Sequence, residues 1–300
     1  MIIYRPMQLA DIPAGISLCR ANRWNQLPRD FEIFLRLSPN DCRVAVKGDK
    51  ITGSVTTLRY QKAFSWIGML LVDPQSQRQG IGMQLLREAL HILDDEQTVK
   101  LDATPAGREV YLKMGFKDEY HLTRMQYTPS PNIIQTPSLS NPIIPQSPVT
   151  SIPPDPLLAK PIDIKDLPRI SSFDKPIFGA GRHTLLNWTL TGAPDLAFVV
   201  KQENKITGYC LGREGHSFTQ IGPIVTHGIS IAKTLLLTAL THSNKKTLIL
   251  DIPRHTPEWH AWLTSIGFTE QRPFIRMYRG SNTSRGIPEK QFAILGPEFG

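Results

Sequence analysis

The feature that most constrains this chain is that it states one pattern twice. Asp11-Ile12-Pro13 answers to Asp166-Leu167-Pro168, Lys50-Ile51-Thr52-Gly53 to Lys205-Ile206-Thr207-Gly208, and Ile67-Gly68 to Ile221-Gly222. Leu101-Asp102, Gly115-Phe116 and Arg124-Met125 recur as Leu250-Asp251, Gly267-Phe268 and Arg276-Met277. Six matches in the same order, offset by 149 to 155 residues, imply two copies of one fold. Nine of the 25 prolines fall between Pro129 and Pro156, in a stretch without helical periodicity that reads as an extended linker. The expected division is 1–127, a Pro-rich linker over 128–156, and 157–300, with each flank of ordinary domain size.

Within the first copy, Arg43–Lys47 and Ile51–Thr56 are β-rich runs joined by Gly48-Asp49-Lys50, a hairpin signal. Trp66–Val72 is a third strand, stopped by Asp73-Pro74 because proline cannot donate to a ladder. Leu85, Leu86, Ala89, Leu90 and Leu93 carry the three-and-four spacing of a helix starting near Gly82. Val99–Ala103 is a further strand, and 109–114 a short helix closed by Gly115. The order βααβββαβαβ describes a mixed α/β sheet with one informative strand-to-helix junction.

Composition narrows the class. With 40% hydrophobic and 20% charged residues the chain is not disordered, and its longest apolar runs fall well short of the roughly 20 residues that cross a bilayer. No secretory signal is visible, so a cytoplasmic location without membrane attachment is expected. Cys19, Cys42 and Cys210 are too dispersed for a disulfide framework, and the histidines, including the His255/His260 pair, lack ligand spacing, so no metal is expected. The net charge of +8 suits an anionic small ligand or weak nucleic-acid contact; the basic residues are scattered, with only Lys245 and Lys246 adjoining in the second copy, which disfavours nucleic acid.

The junction runs Leu70-Leu71-Val72-Asp73-Pro74-Gln75-Ser76-Gln77-Arg78-Gln79-Gly80-Ile81-Gly82-Met83. Two glycines at a helix start expose backbone N–H groups to an anion, and the helix dipole adds to the attraction. It is neither a Walker loop, since no Gly-Lys-Ser/Thr follows, nor a dinucleotide fingerprint, since Leu85 stands where a third glycine would be needed. Gln77-Arg78-Gln79-Gly80-Ile81-Gly82 resembles the (Gln/Arg)-x-x-Gly-x-(Gly/Ala) pyrophosphate motif of the GCN5-related N-acetyltransferases. Val72-Asp73-Pro74 before it and Tyr111-Leu112-Lys113-Met114-Gly115-Phe116 after it are similar to that family in order and distance.

The resemblance implies two tandem folds of α/β (α+β) class, each a mixed, mostly antiparallel sheet flanked by helices. It implies acetyl-CoA as co-substrate, with backbone groups of Leu70, Leu71 and Val72 along the pantetheine and those of Arg78 through Met83, in the motif opened by Gln77, on the pyrophosphate. Tyr111 would protonate the departing thiolate, and a small-molecule or peptide amine would attack the thioester directly in a ternary complex. Asp102, at the end of its strand, is a candidate acceptor contact or else a cap of the Thr104–Gly107 turn, with Glu109 on the next helix as another carboxylate. The ending Gly296-Pro297-Glu298 is loosely similar to that of tandem acetyltransferases and makes Glu298 a candidate acceptor contact.

The second copy departs from the motif. Thr226-His227-Gly228-Ile229 replaces the Gly-x-Gly loop, and Leu263, beside Trp262, stands four before Gly267 where Tyr111 stands four before Gly115. It is therefore expected to bind no coenzyme A and to shape the acceptor site or support the first copy. A non-catalytic acyl-CoA sensor is the alternative. The 173–182 run is read as a loop linking helices and Trp188, Trp259 and Trp262 as core.

Overall fold

The computed structural model describes residues 1–129, 157–243 and 247–300. Nearly all of the expected linker, and the Lys245-Lys246 pair, lie outside the described residues. The first half runs β1 (Ile2–Pro6), α1 (Ile12–Ala21), α2 (Pro28–Leu37), β2 (Arg43–Lys47), β3 (Lys50–Tyr60), β4 (Phe64–Val72), α3 (Ile81–Ile92), β5 (Thr98–Ala103), α4 (Pro105–Lys113) and β6 (Lys117–Tyr127). The second repeats the order as β7 (Ala159–Pro161), α5 (Leu167–Phe178), α6 (His183–Gly192), β8 (Phe198–Gln202), β9 (Lys205–Arg213), β10 (Thr219–Thr226), α7 (Ile229–His242), β11 (Leu248–Pro253), α8 (Pro257–Ser265) and β12 (Thr269–Gly280). A short extra strand, β13 (Gln291–Ala293), follows.

The helices form where apolar residues recur on one face. Ile81, Leu85, Leu86, Ala89 and Leu90 of α3 are buried, and α7 repeats the stripe with Ile231, Ala232, Leu235, Leu236 and Ala239. Residues 173–178, read as a loop, are instead the end of α5: Pro176 lies inside it, and Gly179 at φ +96° provides the stop. Trp259 is fully buried, whereas Trp188 and Trp262 are only partly so. All three cysteines are buried and free.

The strands form one sheet in the order β1-β2-β3-β4-β5-β12-β6-β11-β10-β9-β8-β7, with β13 paired to β10 off the main path. The order is a palindrome about the β12–β6 pair, which puts a pseudo-dyad there. The two halves have exchanged their last strands: β12 pairs antiparallel with β5, and β6 pairs antiparallel with β11. The cores follow the exchange. Met125 of β6 packs among Leu248, Leu250 and Trp259, while Met277 of β12 packs among Leu85, Leu101 and Phe116.

Two buried ion pairs lock the crossing. Arg124 holds Asp251 with Nε and Nη2 at 2.7 and 2.8 Å, and Arg276 holds Asp102 with the same two nitrogens at 2.9 Å each. Each arginine comes from one copy and its aspartate from the other, so the repeated residues pair crosswise. Among the described residues no helix is long and apolar enough to cross a membrane, and no group of His, Cys, Asp and Glu is arranged to hold a metal ion.

Candidate functional site

Strands β4 and β5 run parallel but pair only at Ser65 with Val99 and Trp66 with Lys100. Beyond those rungs β4 continues to Val72 and β5 to Ala103 unpaired with each other, so the sheet opens into a wedge. A bulge adds to the opening, because the β3–β4 register passes from Thr56–Gly68 to Ser54–Leu71 and skips Met69 and Leu70. Met69 sits at φ +50°, and its carbonyl accepts from the Ser54 hydroxyl at 3.1 Å.

The chain then crosses the end of β4 to the start of α3. Asp73 accepts from Gln75 N–H and pairs with Lys50, which fixes the turn after Val72. Gln77, Arg78, Gln79 and Gly80 are exposed. Gly80, the N-cap, is left-handed at φ +79° with nothing within 4 Å of where its Cβ would be, and no side chain caps the helix. The first-turn amides of Ile81, Gly82 and Met83 have no acceptor within the helix. An exposed, glycine-lined, uncapped helix start of this kind fits an anionic group such as a phosphate.

The wedge leads into a cavity of about 130 Å³, close to the ~150 Å³ that accommodates one benzene ring in a protein interior. Its wall near β4 and β5 includes Gly68, Met69, Leu70, Leu101, Asp102, Thr104 and Tyr111. The 23–26 loop between α1 and α2 contributes another wall, Gln220 and Phe218 come from the second half, and Arg124, Arg272 and Phe274 come from the two exchanged strands. Pro297 and Glu298 complete it.

Tyr111 therefore faces the cavity from α4, about two helical turns on from Thr104, whose hydroxyl caps that helix by accepting from Gly107 N–H at 3.2 Å. Its ring packs edge-on to Phe116 at 5.8 Å, its hydroxyl has no protein partner among the described residues, and burial pushes its phenol up to about 12. Asp102 also lines the cavity, but its side chain is fully buried with each oxygen accepting from Arg276, so it is held in an ion pair and does not cap the 104–107 turn. Glu298 is buried, accepting from Gln26 Nε2 at 2.9 Å and from Arg213. Burial acts to raise its carboxyl, and the Arg213 guanidinium together with Gln26 outweighs that and holds it below the usual range. Glu109 is exposed and pairs with Arg108. Leu71 and Val72 lie in the β3 ladder opposite Ser54 and Gly53.

The pseudo-equivalent wedge of the second half is closed. Strands β10 and β11 likewise pair at only two rungs, Thr219 with Leu248 and Gln220 with Ile249. There β13 enters, pairing with Ile224 and Val225, while Ile294 N–H donates to Asp251 O at 2.9 Å and Trp259 Nε1 to Phe292 O at 2.9 Å. A Cβ on Gly222 would run into the Ile294 carbonyl. The tail then crosses to the first half, where Trp66 Nε1 donates to Pro297 O at 3.0 Å, and a Cβ on Gly68 would stand 2.6 Å from Glu298 O.

Gln26, Arg124, Gln220 and Arg272 were not singled out from the sequence. For Arg272 a signal existed: at the 152-residue offset of Arg124 and Arg276, its counterpart in the first copy is Tyr120.

Sequence profiles described as "Acetyltransferase (GNAT) domain" match residues 29–125 and 170–293. The uncharacterized N-acetyltransferase YitH of Bacillus subtilis (strain 168) is 24% identical over 214 residues, covering 71% of this chain and 69% of that protein. A putative acetyltransferase from Pyrococcus horikoshii superposes at a TM-score of 0.77 with 23% identity, over 100% of this chain and 96% of the other. A tandem GNAT protein from the clavulanic acid biosynthesis pathway superposes at 0.62 with 14% identity, over 93% and 98%. Two matches to one family on a chain whose sheet is built of two pseudo-equivalent halves mean that this protein belongs to the GNAT acetyltransferases and carries two such domains in tandem.

Proposed function

We propose that the protein transfers an acetyl group from acetyl-CoA to a primary amine, with residues 1–127 holding the co-substrate and the second half, without a coenzyme site of its own, completing the acceptor cavity. One observation carries this reading: β4 parts from β5 and leads directly into the uncapped start of α3, while the corresponding β10–β11 wedge is filled by β13. Backbone amides of Arg78 through Met83 would hold the pyrophosphate, and the β4 edge at Leu70, Leu71 and Val72 the pantetheine. Acetyl-CoA supplies an activated acyl thioester. The amine nitrogen forms a bond to the acetyl carbon, the C–S bond breaks, and the proton lost by nitrogen ends on sulfur, directly or through solvent.

The role of Tyr111 follows from magnitudes. A phenol pushed up to about 12 by burial is a weaker acid than a free thiol near 8.5, which disfavours complete proton transfer from Tyr111 to the sulfur. Donating a hydrogen bond to the sulfur as its charge develops requires no such transfer, and a bond to a charged group contributes about 1.5–3 kcal/mol. With Asp102 and Glu298 both engaged by arginines, no carboxylate in the cavity is placed to act as base, and the amine loses its proton to water.

Calorimetric titration of acetyl-CoA into the full chain tests the reading. One site per chain is expected, lost in Gly82→Glu, with thiol release on addition of amines. Two sites would contradict a coenzyme-free second half, no site would remove the enzyme, and one site without turnover on any amine would favour the acyl-CoA sensor.

A further inference from the structure

We propose that the acceptor amine also carries an anionic group, a carboxylate or a phosphate, and that Arg272 binds that group in the cavity between the halves. The inference deepens the acetyltransferase reading and rests on it. The charges that line the cavity are Arg23, Arg124 and Arg272 against Asp102 and Glu298. Three of the five are already compensated from outside it: Asp102 by Arg276, Glu298 by Arg213 and Arg124 by Asp251. Arg272 and the exposed Arg23 have no ion pair among the described residues, so the cavity keeps a positive excess.

Arg272 is not a surface cation that water can satisfy in full. Its Nε is buried without a hydrogen-bond partner, and its guanidinium stacks on Phe274 at 4.8 Å, with Arg124 near the same ring at 5.2 Å. Burial, and then the proximity of Arg124, lower it to about 10. Across the β12–β6 pair Arg272 stands directly opposite Arg124, and like charges in that relation are destabilising. At the pseudo-symmetric rung Arg276 stands opposite Tyr120, whose hydroxyl accepts from Arg276 Nη1 at 2.6 Å. One side of the dyad thus pairs arginine with a neutral acceptor, and the cavity side pairs it with a second arginine. A planar guanidinium that lines the cavity with no carboxylate paired to it suits bidentate capture of a carboxylate or phosphate.

A second unpaired polar group belongs to another lining residue, Gln26. Gln26 gives its Nε2 to Glu298, which fixes the amide orientation and leaves its buried Oε1 without a donor. An acceptor bearing both N–H donors and an anion complements the Gln26 amide and the Arg272 guanidinium, and the cavity volume limits it to a small molecule or a protruding chain end.

The test uses the full-length protein with acetyl-CoA saturating and amines offered as matched pairs: glycine against glycinamide, β-alanine against β-alaninamide, and O-phosphoethanolamine against ethanolamine. The acidic member of at least one pair is expected to have a kcat/KM about tenfold or more above its neutral mate, and which pair does so separates carboxylate from phosphate. In Arg272→Gln that preference should fall below threefold, with coenzyme stoichiometry unchanged and the melting temperature unchanged or higher, because a like-charge pair is removed. A preference for the neutral members, or one that survives Arg272→Gln, would overturn the proposal, as would a lowered melting temperature showing a structural role.

A second arm needs no turnover. The Nε–Hε resonance of Arg272, identified by its absence in Arg272→Gln, should shift when sodium acetate or sodium phosphate, but not sodium chloride at equal ionic strength, is added to the coenzyme-loaded protein. Resonances that ignore both anions refute the proposal while leaving acetyl-CoA binding intact. Failure to bind acetyl-CoA refutes the underlying function instead.

Discussion

Replacing Asp251 by asparagine tests the claim that the halves are interlocked rather than merely adjacent. Asp251 is completely buried and accepts three hydrogen bonds, two from Arg124 at 2.7 and 2.8 Å and one from Gln220 Nε2 at 2.8 Å. Asparagine keeps the shape, but it loses the charge and turns an amide donor toward donors that no longer have an acceptor. The Arg124 guanidinium is left buried and uncompensated, directly opposite Arg272. Removing one partner of a buried pair costs about 3–5 kcal/mol. At about 2–3 °C per kcal/mol, the midpoint should fall by roughly 6–15 °C. Scanning calorimetry with parallel urea melts provides the readout. Because Arg124 belongs to one copy and Asp251 to the other, on strands that close each other's sheets, the whole transition should move as a single step. A change under about 1 kcal/mol would refute the energetic argument. A second transition that stays at the wild-type midpoint would refute the interlocking.

Tyr111→Phe should leave acetyl-CoA affinity unchanged and lower turnover by about 10- to 100-fold, the loss of one hydrogen bond to a charged sulfur; steady-state kinetics with unaltered turnover across pH would eliminate that role. Alkaline stability follows from the buried acids. Burial pushes the Cys19 and Cys42 thiols and the Tyr111 phenol up to about 12, from 9.0 and 10.0, and Cys210, Tyr60, Tyr120 and Tyr209 also rise. Above about pH 9 the unfolded chain releases protons that the folded one retains, so stability falls as pH rises toward 12. The urea midpoint should drop steadily from pH 9 to 11, and a flat profile would show that these groups are not buried in solution.

The sequence carried the elements and the junction because both are local. Apolar spacing marked α3, proline marked the end of β4, and Gly80 and Gly82 marked the helix start. It did not carry the pairing of β6 and β12. The two strands share an Arg-Met pattern that fits either edge, and the choice between β5 and β11 depends on contacts more than 120 residues apart, such as Arg124 with Asp251. The same distance hid the state of Asp102, which is a plausible free carboxylate until Arg276, 174 residues away, takes both its oxygens. The closure of the second wedge was legible only as a missing loop. That a β-strand fills the gap follows from the path of 291–295, Gln-Phe-Ala-Ile-Leu, a short apolar run with no alternation to announce it.

The strand exchange also sets a timetable for folding. Strand β5 is complete at residue 103, but the strand that covers its edge ends at residue 280. At about 5–20 residues per second of synthesis, roughly 10–35 s pass between the two. During that interval the emerging first half presents an unsatisfied β edge that can bind other chains. Neither half can finish before the other, so the protein becomes competent only as its last hundred residues arrive, and the vulnerable species in the cell is the nascent chain.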